Sequence, residues 1–243
     1  MAEPLIGIIS QVRMTSTRLP GKVLLPMGGK TVLEHHVARL SKSSLPVFLA
    51  TTVNATDNPI VEFAQKFNLG IYRGDEQNVL SRYYGCAQEN KLDIIIRVTS
   101  DCPLIDGQII QEAAEQYISF DNPNIYLSNC LQRTFPRGLD FEIFSFQLLE
   151  EAFKKAQRPA ELEHVTPYIN QNCSGQVSFK HIMLNQDKSH YRITLDTLED
   201  FNLLKVLIEQ YEAHLLPAAD IIKILDEHPE LVRINQQVEQ KPL

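Results

Sequence analysis

Asp93-Ile94-Ile95-Ile96-Arg97-Val98, running into Thr99-Ser100-Asp101-Cys102-Pro103, decides how this chain is read. A short β-branched apolar run that ends in polar residues and a proline predicts a strand buried on both faces. A helical pattern follows over 107–120. Toward the N-terminus the same alternation recurs, with strand-like runs at 5–11, 47–52 and 69–72. Helical patterns at 31–40, 59–67 and 79–88 follow them in turn. Four strand–helix units in succession predict a parallel sheet with helices on both faces. Right-handed crossovers then make it a doubly wound α/β sheet in a three-layer sandwich. Toward the C-terminus the alternation weakens. Strands are expected at 124–128, 139–144, 177–183 and 191–195, and helices at 146–156, 162–171, 198–211 and 218–226, with a polar tail. This half is read as extending and covering the same sheet, so that 1–243 form a single domain.

Bulk properties exclude several classes. The chain has 243 residues, enough apolar content for a sizeable core (44%), and a formal net charge of −7. With no surplus of Lys and Arg to neutralise a polyanion, no nucleic acid and no anionic membrane surface is expected as a partner. The opening MAEPLIGIIS lacks a cationic start and a long apolar stretch, and no run approaches bilayer-spanning length. Cys86, Cys102, Cys130 and Cys173 show no metal-site or redox spacing and read as free thiols of a reducing compartment. A cytoplasmic location and no membrane insertion are therefore expected.

In an open α/β sheet, ligands bind outside the carboxyl ends of the strands, so the polar residues after each apolar run are informative. Gln11 ends the first strand, and Arg13, Ser16, Arg18, Pro20, Gly21 and Lys22 follow. Forked guanidinium donors, a point-charge ammonium, hydroxyls and loop N–H groups suit a wrapped phosphate chain. Three cations alone also suit a solvated surface loop. The spacing matches neither the P-loop nor the dinucleotide fingerprint, and Gly28-Gly29 reads as a turn. Asp101 stands just beyond a buried strand, where a carboxylate requires a cationic partner; Asp106 precedes a helix as a cap. Asp196 ends the run at 191–195 and is either a helix cap with Glu199 or a second carboxylate facing the basic loop. Two such carboxylates at strand ends are what Mg²⁺ on a triphosphate requires, since that ion takes one or two carboxylates plus phosphate oxygens. Arg137 and Asp140, beside a Pro136/Gly138 turn, are candidates for acceptor recognition. Glu142 lies two residues from Asp140 and so on the same strand face. His164 is either a sugar contact or structural. His35 and His36, adjacent in a helix, face different ways and are not read as a metal pair. No Ser–His or Cys–His nucleophile pair is evident.

These residues carry a family resemblance. The segment QVRMTSTRLPGKVLLPMGGKTVLEHHVARL (11–40) resembles the N-terminal signature of the cytidylyltransferase family of CMP-sugar synthetases, and is closest to its branch in spore coat polysaccharide biosynthesis. Similar motifs recur at 73–83, 97–103, 138–142, 163–168 and 192–200, and in the closing DEHPELVRINQQVEQK. The resemblance implies a GT-A-like, Rossmann-like mixed sheet with a dimerisation arm, and hence a homodimer. Residues 1–120 would form the nucleotide-binding half and 121–243 the acceptor, metal and dimer half. It implies transfer of CMP from CTP to a sugar acid with release of pyrophosphate. Arg13, Ser16, Arg18 and Lys22 match the family's triphosphate loop, Asp101 and Asp196 its Mg²⁺-binding acids, and Arg82 a basic nucleotide-binding residue; Gln11 and Ser100 are grouped with them. Two departures are Thr15, where the family usually has Gly, and Asn78, where it usually has Asp before Val79-Leu80. An acceptor hydroxyl would attack the α-phosphorus in line, with Arg13, Arg18, Lys22 and Mg²⁺ opposing charge on the leaving pyrophosphate. The alternatives are a GT-A glycosyltransferase, a transferase of another nucleotide, or a silent family member. No D-x-D motif follows the fourth strand.

Overall fold

The computed structural model describes residues 3–240. Its seven-stranded sheet is built from β1 (Ile6–Gln11), β4 (Val47–Thr52), β5 (Gly70–Gly74), β6 (Ile94–Thr99), β7 (Ile125–Ser128), β8 (Glu142–Ser145) and β9 (Ser178–His181). The spatial order is β5-β4-β1-β6-β8-β7-β9. β5, β4, β1 and β6 are mutually parallel. β8 is inserted antiparallel between β6 and β7, and β9 pairs parallel to β7. A separate hairpin, β2 (Pro26–Met27) and β3 (Lys30–Thr31), turns at Gly28 and Gly29, whose φ of 56° and 79° need glycine.

Strand alternation sorts the core into two layers. Ile9, Ile95, Tyr126 and Phe144 pack with α3 (Val79–Glu89) and α5 (Phe146–Lys155). Ile8, Ile96, Leu127 and Ile143 pack with α4 (Gly107–Ser119) and the end of α1 (Val32–Leu40). Leu49 joins α1 to α2 (Asn58–Lys66) through Leu33, Ile60 and Phe63. Burying each such side chain stabilises the fold by roughly 1.5–3 kcal/mol. α8 (Leu198–Gln210) and α9 (Ala218–Glu227) close over a further cluster of Met27, Phe135, Ile193 and Leu195. α1 begins at a reciprocal capping box, with the Glu34 N–H donating to the Thr31 hydroxyl (3.2 Å) and the Thr31 N–H donating to the Glu34 carboxylate (2.6 Å). No helix among the described residues is long and apolar enough to cross a membrane.

Two expected elements differ. The run at 191–195 is extended but makes one isolated bridge, Arg137 to Arg192, and is no sheet strand. The helix expected at 162–171 is two short ones, α6 (Pro159–His164) and α7 (Pro167–Asn170). Val165 breaks them at φ 70°, and Pro167 restarts the chain at a helical first position. The chain then ends its helical part with α10 (Pro229–Val232).

Candidate active site

The carboxyl ends of β1 and β6 open into a cavity of about 630 Å³. The loop after β1 is pinned before it reaches the cavity. The Met14 N–H donates to Asp57 (2.8 Å), which is buried and also accepts from the Thr51 and Thr52 hydroxyls. The Ser16 and Gly21 N–H groups both return to the Met14 carbonyl at 3.0 Å. Gly21, at φ 68°, then turns the chain into one 3₁₀ turn, Lys22–Leu24, that aims Lys22 at the far wall. Thr15 donates to Glu76 (2.7 Å), tying the loop tip to the segment after β5.

Lys22 Nζ donates to Asp101 (2.7 Å), to Asp196 (2.9 Å) and to the Leu195 carbonyl (2.7 Å). The two carboxylates expected to converge therefore share one ammonium, although 95 positions separate them in the chain. Their segments also touch directly, with the Leu195 N–H donating to the Asp101 carbonyl (2.8 Å). Asp196 is held further by Arg18 (3.0 Å) and Arg192 (2.8 Å). Burial alone would raise the Asp101 carboxyl, but the Lys22 charge and hydrogen bond hold it well below the usual carboxylate range. Burial likewise opposes the Lys22 charge, and the two aspartates override it, raising the ammonium pKa. Asp196 is not the cap of α8. Thr197 is, one residue on, in a capping box with Asp200 rather than Glu199.

Most of the expected residues meet here. Gln11, Arg13, Ser16, Arg18, Lys22, Ser100, Asp101 and Asp196 line the cavity with Arg137, Asp140 and His164. Arg133 grips Asp140. Two residues do not line it. Arg82 is fully buried at the start of α3, its three guanidinium nitrogens without hydrogen-bond partners. Glu142 is also buried; one of its carboxylate oxygens accepts from Tyr126 and Thr166 and the other from Arg97. It anchors Arg97, which lines the cavity, and so is no acceptor contact.

Sequence reasoning missed three parts. Arg97 received no role, because its partner lies 45 residues away. Asp200, fully buried, fixes Arg192 (2.8 Å) and caps the chain at Asp196 and Thr197 (2.9 and 3.1 Å); its signal was the third position of a capping box. Beneath the cavity, His36 Nδ1 lies 2.9 Å from the Cys102 carbonyl and Nε2 2.8 Å from Ser10, which is 2.7 Å from Ser100. Since the carbonyl only accepts, Nδ1 carries the proton, Ser10 donates to Nε2, and Ser100 donates to Ser10. Burial pushes the His36 pKa down to about 4. This Ser–His pair is sealed in the core, with Ser10 and His36 both 0% exposed, and carries no nucleophile to the cavity.

Which residues could hold a metal is narrowly defined. Among the described residues no cluster of three or more His, Cys, Asp or Glu side chains is arranged for a metal ion. Asp101 and Asp196 supply two carboxylates, which suffices for Mg²⁺ only when substrate phosphates complete its shell.

A basic loop facing paired carboxylates at the switch point of a mixed sheet defines an α/β protein with a charged site at the carboxyl ends of its strands. The chain belongs to the cytidylyltransferase family, whose sequence pattern it matches over residues 6–226. It is 30% identical to the spore coat polysaccharide biosynthesis protein SpsF of Bacillus subtilis, over 93% of this chain and 95% of that protein. A cytidylyltransferase structure from Leptospira borgpetersenii serovar Hardjo-bovis superposes with a TM-score of 0.88 at 33% identity, covering 99% of this chain and 100% of that one. CMP:2-keto-3-deoxy-manno-octonic acid synthetase, solved in complex with CTP, shares the fold at a TM-score of 0.62 and 15% identity, over 86% of this chain and 100% of its own.

Proposed function

We propose that this chain transfers CMP from CTP to the hydroxyl of a sugar acid, releasing pyrophosphate, in the cytoplasmic synthesis of a surface-polysaccharide precursor. The observation that carries the reading is Lys22 on both Asp101 and Asp196 at the edge of a cavity walled by the basic loop. Arg13, Arg18 and Lys22 bind the triphosphate, with Gln11, Ser16 and Ser100 on the nucleotide side. Arg137, Asp140 and His164 orient the acceptor hydroxyl for in-line attack on the α-phosphorus. Mg²⁺ bound by Asp101, Asp196 and the phosphates would oppose charge on the leaving pyrophosphate. The sealed Ser10–His36 pair supports direct transfer without a covalent intermediate. The SpsF relative supports the polysaccharide context, and the CTP complex of a structural neighbour supports the nucleotide. As the family resemblance implies, the working form is a homodimer.

The test is pyrophosphate release from CTP with a panel of octulosonic and nonulosonic acids. Turnover with at least one acid, and tighter equilibrium binding of CTP than of ATP, GTP or UTP, is the expected result. Tighter GTP or UTP binding would overturn the nucleotide; no release with any acid would overturn the acceptor class.

A further inference from the structure

Lys22 occupies the place between the two carboxylates that a metal would need. All three N–H groups of its ammonium are engaged, at 2.7, 2.7 and 2.9 Å, and its side chain is only 11% exposed. The surrounding cluster is charge-balanced. Asp101, Asp196 and Asp200 face Lys22, Arg18 and Arg192, each carboxylate touching at least one cation. No third acidic, His or Cys side chain joins them into a metal cage among the described residues. A divalent cation arriving alone therefore meets two neutralised carboxylates with an ammonium between them.

A triphosphate changes that balance. Its oxyanions offer Lys22 and Arg18 new acceptors within the same cavity, and they supply the oxygen ligands the two carboxylates lack. We infer that Lys22 is the resident counter-ion of this site, a positioning residue that bars a lone divalent cation and admits one only with the triphosphate that draws the ammonium away. The inference rests on the proposed metal role of Asp101 and Asp196. Lys22 thus has two successive partners, the dicarboxylate in the free protein and the phosphates in the loaded one. It also keeps the two acids from repelling each other while no substrate is bound.

The experiment is Mn²⁺ titration of the full chain, followed by electron paramagnetic resonance, without nucleotide and with CTP. Wild type is compared with Lys22→Met, with the uncharged hydrogen-bonding variant Lys22→Gln, with Lys22→Arg, and with Lys22→Met/Asp101→Asn. Without nucleotide, Lys22→Met and Lys22→Gln should bind Mn²⁺ at least about tenfold more tightly than wild type, since a cation a few ångströms from the site is gone. Lys22→Arg should stay near wild type, and adding Asp101→Asn should abolish the gain. CTP should tighten Mn²⁺ binding by wild type more than by Lys22→Met. Equal Mn²⁺ affinity of wild type and both uncharged variants would overturn the inference. If adding Asp101→Asn to Lys22→Met leaves Mn²⁺ binding unchanged even with CTP, the metal assignment itself is wrong and the inference falls with it.

Discussion

Replacing Glu142 by Gln separates a buried structural anchor from a substrate contact. Glu142 is 5% exposed, and its three donors come from three different elements: Arg97 on β6, Tyr126 on β7 and Thr166 before α7. Burial disfavours the Arg97 charge, yet the adjoining Glu142 carboxylate raises its pKa above the ordinary arginine value. Glutamine keeps one acceptor oxygen and turns a donor toward the guanidinium. Arg97 then stays charged, 17% exposed and uncompensated, a change that costs about 3–5 kcal/mol. In a chain of this length about 4 kcal/mol lowers Tm by roughly 8–16 °C.

The assay is urea unfolding followed by circular dichroism, run as a double-mutant cycle. Arg97→Gln/Glu142→Gln removes both charges and leaves two amides that can bond each other and the two hydroxyls. It should recover more than half of the Glu142→Gln loss, with Arg97→Gln as the other single variant that closes the cycle. A Glu142→Gln cost under about 1 kcal/mol, together with a raised acceptor KM, would refute this reasoning and return Glu142 to the acceptor site.

Three further outcomes are expected. Lys22→Ala should lower pyrophosphate release by roughly 10²–10³-fold with the fold retained; near-normal turnover by a folded variant would remove Lys22 from the charge-stabilising set. His36, with a native pKa of about 4 against an ordinary 6.5, takes up its proton in the unfolded chain first, so it contributes stability that is lost as pH falls from 6.5 toward 4. This single group should make the fold about 2 kcal/mol less stable at pH 5 than at pH 7, and urea midpoints of His36→Gln should lack that increment. Gly138→Ala should destabilise by more than about 2 kcal/mol and impair turnover. Gly138 sits at φ 107°, and a Cβ there would lie 2.6 Å from the Ile193 backbone, just ahead of Asp196; unchanged thermal unfolding would contradict this.

The parallel half of the sheet was legible because β1, β4 and β6 are mostly buried on both faces, which writes them as largely apolar runs that turn polar at their carboxyl ends. The run at 191–195 misled for a related reason. Tyr191, Ile193 and Leu195 alternate with Arg192 and Thr194 as in a half-buried strand, yet all five are buried, and the alternation says nothing of what lies alongside. There the neighbour is the turn at Arg137, and only one bridge forms. The break between α6 and α7 was written at Pro167 and passed over in favour of the apolar pattern.

Asp101 and Asp196 were legible as a pair because both follow apolar runs, and both runs deliver them to one edge. Glu142 failed the same kind of argument. Placing it beside Asp140 assumed a strand through both, whereas β8 begins at Glu142 and the two-residue period does not extend back into the loop. The unread remainder is mostly pairing: Glu142 with Arg97, Asp200 with Arg192, and Lys22 directly with both acids. A sequence states which residues carry charge and, through strand ends, which edge they reach. Whether a charge that reaches the edge is free for a ligand or already held by another side chain depends on distances of a few ångströms between segments distant in the chain. Lys22 is the sharpest case, since its identity pointed to phosphate and its geometry assigns it first to the carboxylates.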